Sequence, residues 1–219
     1  MRLPNVEKFN NTSEFITRKL SNVTKSPRDY VIFSDKERVR FIKMVESVCR
    51  TSMEYKDYID YLKKEVDMTQ CSFFTNVTSA GARRKISIEI HHEPFTLYDI
   101  CEIVLNKHVT QDIPLNPLLM SEEIMKLHYQ NKVGLIPLSK TVHALVHSGK
   151  LFIPLQCVAG DYLSFIEEYY HDISPELHSI LEKKLELSNE VTDTSILEKK
   201  YVYLDVQGFN LPQLIETKQ

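Results

Sequence analysis

"KISIEIHHEP", residues 85–94, alternates isoleucines with Lys85, Ser87 and Glu89 and then runs into two adjacent histidines. Such alternation predicts a strand with one apolar face. Ile86, Ile88 and Ile90 share that face, Glu89 and His91 lie on the other, and His92 comes where the pleat breaks towards Pro94. Further along, "GLIPLSKTVHALVHSGK", residues 134–150, reads as a short strand followed by a helix that Gly149 ends. His143 and His147 stand four apart on that helix, so both rings lie on one face, within reach of one metal ion at about 2.0–2.1 Å.

This pattern carries a definite chemistry. One ligand from a strand end and two from a helix supply three neutral nitrogens and leave coordination positions for water and a phosphate oxygen, as a catalytic site requires. The fourth histidine is then free. An imidazole that titrates near neutrality beside a metal is the natural base to deprotonate an attacking water.

Together, "IEIHHEP" and "VGLIPLSKTVHALVHSGK" resemble the HNH endonuclease motif of the ββα-metal fold, most closely its colicin-type version, over residues 84–150. The resemblance implies an α+β chain with a ββα-metal core and helical N- and C-terminal elaborations. It implies that His91, His143 and His147 hold one divalent ion (Mg, Mn, Ni or Zn), that His92 is the general base, and that Glu89 orients it. Arg83, Arg84 and Lys150 fall where basic side chains meet phosphates, and the implied activity is hydrolysis of DNA. Two departures stand out. Gly134 occupies the place of the family's loop-tying asparagine, with Asn131 the nearest asparagine, and two predicted helices separate the halves of the motif where the family often has a loop.

Around the motif, helical spacing predicts helices over 11–20, 35–50, 52–66, 97–109, 121–132 and 175–187. Ser34 with Glu37 forms a capping signature, and Thr96 and Ser174-Pro175 mark further helix starts. Within 35–50 Val39, Ile42, Val45, Glu46 and Cys49 recur at helical spacing; within 52–66 Tyr55, Tyr58, Ile59, Leu62 and Val66 form an apolar and aromatic stripe. "CSFFTNV", residues 71–77, reads as a strand with a turn after it at 78–83, and 199–206 reads as a last strand. The expected organisation is a helical region over 1–70, an HNH core over 71–154 with a helical insertion at about 96–132, and a helical region over 155–219.

Composition narrows the function classes. The 219-residue chain is 42% hydrophobic and carries a net charge of −3, enough for a core but unsuited to coating nucleic acid by bulk charge. DNA contact is therefore expected to be local, or arranged by a protein complex that delivers DNA. Cys49, Cys71, Cys101 and Cys157 show neither CxxC nor staple spacing, which suggests buried thiols in a reducing compartment. The chain shows no apolar signal region and no membrane-length apolar run, so a cytoplasmic protein is expected, in the bacterial host if phage-encoded, since the style of chain resembles small phage HNH proteins. A second expectation stands beside the enzyme: a catalytically inactive structural or adaptor protein that keeps the core as a metal-stapled interaction module. Gly134 favours the adaptor; His92 and Glu89 favour the enzyme.

Overall fold

Ser34 starts the first helix, its Oγ accepting the Glu37 N–H at 3.3 Å. The computed structural model describes residues 32, 34–74, 77–79 and 86–191. The helix expected over 11–20, the strand expected over 199–206, most of the turn at 78–83, and Arg83 and Arg84 lie outside the described residues. Helix α1 (Asp35–Thr51) buries Phe41, Ile42, Val45 and Cys49. Val39, placed in that stripe by spacing, sits at its edge and is 42% exposed. Ser52 then does two jobs: its N–H closes α1 on Val48 and Cys49, and its Oγ caps α2 (Met53–Lys64) at Tyr55. The stripe of α2 turns inward as its spacing requires, with Tyr55, Tyr58 and Leu62 buried.

The strand expected over 71–77 does not form among the described residues. Cys71 N–H reaches Val77 O at 2.9 Å, Phe74 N–H reaches Cys71 O at 3.3 Å, and the segment curls as a turn closed by a single Gln70–Thr78 bridge. The backbone bonds of this segment are made within the turn, Val77 N–H also reaching Phe74 O at 3.0 Å, and among the described residues only Ser72 N–H, donating to Pro137 O at 2.9 Å, reaches β2.

The two strands that do form are β1 (Ile88–His92) and β2 (Leu135–Ser139), antiparallel, with Ile88 opposite Ser139, Ile90 opposite Pro137 and His92 opposite Leu135. Between them run α3 (Leu97–Thr110), closed at its start by a reciprocal Thr96–Asp99 capping box, and α4 (Pro117–Tyr129). Helix α4 begins earlier than its expected start at 121, because Asn116 Oδ1 accepts the Leu118 N–H at 2.9 Å and Pro117 fills the first helical position. It ends at Tyr129, and Asn131 then adopts a left-handed φ of 60°. Helices α3 and α4 both pack on α1 and on each other, so they form the main body of the core. Glu123 of α4 ties them to Tyr169 further along the chain. Burial opposes its ionisation, but hydrogen bonds from His108, Lys107 and Tyr169 outweigh it and hold the carboxyl down at about 2.

Ser139 ends β2 and caps α5 (Lys140–His147), which Gly149 closes at φ 68°. A 3-10 turn (Leu155–Cys157), α6 (Tyr162–Tyr169), a second 3-10 turn (Tyr170–Asp172) and α7 (Pro175–Glu190) complete the described chain, which is α+β with a small two-stranded sheet.

Candidate metal centre

Strand alternation decides which histidines meet. His91 faces α5, where its ring lies 5.0 Å from that of His143 and 5.2 Å from that of His147, centroid to centroid. One ring nitrogen from each of the three falls within 4.8 Å of the others. His143 Nε2 and His147 Nε2 are 3.0 Å apart, close to the roughly 3.3 Å that two ligands of a tetrahedral ion with 2.0–2.1 Å bonds would show. Burial is graded across the cluster: His91 is 4% exposed, His143 partly buried and His147 exposed. Only Val142 of α5 is buried, so little apolar packing holds this helix to the sheet.

Carboxylates back two of the three rings. Glu89 Oε2 accepts from His143 Nδ1, which leaves Nε2 as the lone-pair nitrogen facing His147. The expected place of Glu89 was beside His92. Instead, alternation puts residues 89 and 91 on the face that α5 covers. His91 Nε2 meets Glu93 Oε2 at 3.3 Å, and Glu93 Oε1 holds Lys184 Nζ of α7 at 2.5 Å. Glu93 was not singled out from the sequence, although the same period of two that linked Glu89 to His91 links His91 to Glu93.

His92 is not part of this cluster. It points to the opposite side of β1, where its Nε2 lies 2.9 Å from His128 Nε2 of α4. His128 Nδ1 is 2.7 Å from Ile124 O, a group that only accepts; Nδ1 therefore carries the proton, and the His128 Nε2 lone pair receives the His92 Nε2–H. Tyr55 stacks on His92, and Tyr55 and Tyr58 meet the His128 ring edge-on. Burial, then the neighbouring His128, pushes the His92 imidazole well below its usual range; burial pushes His128 down to about 4. Both rings are neutral and sealed. His128 thus supports His92 from within the core.

The position of the missing asparagine has a steric explanation. A Cβ on Gly134 would lie 1.8 Å from Glu93 O and 2.7 Å from Val158 Cγ1, so no side chain fits there. Backbone does the tying instead: Glu93 N–H donates to Gly134 O at 3.1 Å. Asn131 accepts the Asp161 N–H on its carbonyl, and its Oδ1 lies 3.3 Å from where a Cβ on Gly160 would sit. Lys150 is exposed just beyond α5, while Arg83 and Arg84 belong to the residues not described.

The model of the bacteriophage G278-like virion protein family matches residues 4–210, nearly the whole chain. The chain belongs to that family. No curated protein and no solved structure matches it. The phage setting expected from the style of the sequence agrees with this membership. The expectation of a DNA endonuclease does not: the family is one of virion proteins, and membership corrects the enzyme assignment. The burial of the histidine that was to be the base gives that correction a physical side. The expected address also shifts from the host cytoplasm to the phage particle, and the partners with it to a particle or protein complex. Among the described residues no helix is long and apolar enough to cross a membrane.

Proposed function

We propose that this virion protein is a structural component of the phage particle whose strand–strand–helix unit, in the manner of a ββα-metal core, holds one divalent transition-metal ion on His91, His143 and His147. The observation that carries this reading is the convergence of three imidazole nitrogens within 4.8 Å, two of them on a helix that buries only Val142. An eight-residue helix is marginal by itself in water, and one buried valine adds little to it. An ion shared between that helix and His91 would fix it to the sheet.

The donor set suits the role. Three neutral nitrogens favour zinc or nickel over magnesium, which prefers oxygen ligands. Glu89 and Glu93 add negative charge behind two of the rings, favouring a cation between them. The ion would act as a cross-link, leaving the flanking helices to meet neighbouring proteins of the particle.

Elemental analysis of the full chain, beside His147→Ala, tests this. The expected result is one zinc or nickel ion per wild-type chain and none in the variant. EDTA should lower the wild-type melting temperature and leave that of the variant unchanged. An ion at a hundred times its Kd stabilises by about 2.7 kcal/mol, an easily measured shift. Wild type that retains no ion after equilibration with zinc, and melts alike with and without EDTA, overturns the reading.

A further inference from the structure

Glu93 joins the three-histidine cluster to a helix that supplies none of its ligands. Its side chain is 5% exposed, with Oε2 facing His91 Nε2 at 3.3 Å and Oε1 facing Lys184 Nζ of α7 at 2.5 Å. A carboxylate so far from water needs a protein partner on each oxygen. Lys184 has a second hold on the hairpin, its Nζ donating to Pro94 O at 2.6 Å. The lysine therefore grips two successive residues that follow β1 directly.

Helix α7 is anchored independently of this grip. Leu177, Leu181 and Leu185 are buried. Ser188, fully buried one turn beyond Lys184, donates to Lys184 O at 2.7 Å and accepts the Leu155 N–H at 3.0 Å. Among the described elements α7 packs chiefly on the 3-10 turn Leu155–Cys157, and Lys184 carries that anchorage across to the strand that bears His91.

We propose that Lys184 is a positioning residue of the metal centre: by clamping Glu93 it fixes the acceptor that orients His91, and so couples occupancy of the site to the docking of α7. The inference rests on the metal reading given above. An imidazole bound to a cation is a stronger hydrogen-bond donor, so a carboxylate already held beside it gains more from the ion than a loose one. The ammonium charge by itself opposes a second cation. It is separated from the site by the whole carboxylate and the His91 ring, and its side chain is 25% exposed, so solvent screens the repulsion and orientation outweighs it. Coupling of this kind is reciprocal. If the clamp raises zinc affinity about tenfold, zinc disfavours by the same factor any local opening of α7 that breaks the clamp. The ion would then secure α7 as well as α5.

Zinc affinity of the full chain, measured against a chromophoric chelator, is compared for wild type, Lys184→Met and Lys183→Met. Methionine at 184 keeps an apolar stem and removes the charge. Lys183 is exposed on the same helix and loses the same charge without a described contact to Glu93. Affinity is expected to fall about tenfold in Lys184→Met and to change less than about twofold in Lys183→Met. Hydrogen exchange supplies a readout that needs no variant to fold: in wild type, zinc should slow the α7 amides several-fold more than those of α1. That extra protection should vanish in Lys184→Met. Wild type that binds no zinc defeats the metal reading and this inference with it. Zinc-binding wild type beside a Lys184→Met that binds equally or more tightly overturns the inference alone, as does an equal loss in Lys183→Met. Exchange of α7 in wild type that zinc slows no more than that of α1 overturns it too.

Discussion

His91 and His92 share a peptide bond and sit in opposite environments. His91 turns towards α5, where two more imidazoles, two carboxylates and the solvent edge surround it. His92 turns into the core, where one imidazole and two tyrosines close over it. One cluster is polar, weakly packed and arranged to receive a cation; the other is neutral and part of the packing. A double histidine is thus two different devices whenever it lies on a strand with both faces covered, because the pleat separates the rings.

The joint between the two clusters is a close backbone approach just beyond the paired strands. Gly134→Asn would restore the side chain that the HNH resemblance implies at that position, but its Cβ would lie 1.8 Å from Glu93 O. The strands must part to admit it, breaking the Glu93–Gly134 bond and disturbing both faces at once. A loss of at least about 3 kcal/mol is expected, read from the urea midpoint. A variant as stable as wild type would show that the hairpin mouth tolerates what its geometry forbids.

Next in size is the contrast between the clusters themselves. His128→Ala leaves a cavity under Tyr55 and Tyr58 and strips the His92 Nε2–H of its acceptor, which should cost about 3 kcal/mol with or without metal. His147→Ala, at an exposed position, should change the metal-free stability by less than about 0.5 kcal/mol. Denaturation of both variants in EDTA decides the matter, and equal losses would erase the distinction drawn here.

A pH ramp sharpens the same distinction. The folded chain holds His128 neutral down to about pH 4, whereas the unfolded chain protonates it near 6.5. Between those values the unfolded state binds the extra proton, so stability is full above 6.5 and falls as the pH drops towards 4. The shift corresponds to a loss of up to about 3 kcal/mol, and the downward shift of His92 adds in the same direction. Urea midpoints of the metal-free chain between pH 7 and 4.5 should fall steadily. In His128→Phe, which keeps an aromatic ring at the site, the slope should flatten.

The legible parts of this fold are those with local causes. Alternation gave β1 its face, Ser34, Thr96 and Ser174 gave their helices starts, and the spacing of His143 and His147 with Gly149 behind them placed two rings on one face of a short helix. What stayed hidden depends on contacts across the chain. Nothing near His92 announces that α4 will return beneath β1 and offer His128. The run at 71–77 has strand composition, but its N–H groups find acceptors within its own turn. Gly134 was readable as a gap in a motif; that it is a point where the backbone of Glu93 passes too close for any side chain needed the fold.

The smallest effect tests the outer support of the open cluster. Glu89 touches His143 from a half-exposed position, so Glu89→Gln keeps the size and one acceptor oxygen while removing the charge. In EDTA the variant should unfold within about 0.5 kcal/mol of wild type, because a screened, partly exposed pair contributes little. Zinc affinity is another matter. A carboxylate behind a ligating imidazole raises the basicity of the ring and holds its orientation, and its loss commonly costs about 10- to 100-fold in metal binding. Competition against a chromophoric chelator would read this directly. A fall in zinc affinity with unchanged metal-free stability would assign Glu89 to the ion, whereas equal affinity would leave its contact with His143 a surface pairing and return the difference between the two faces of β1 to packing alone.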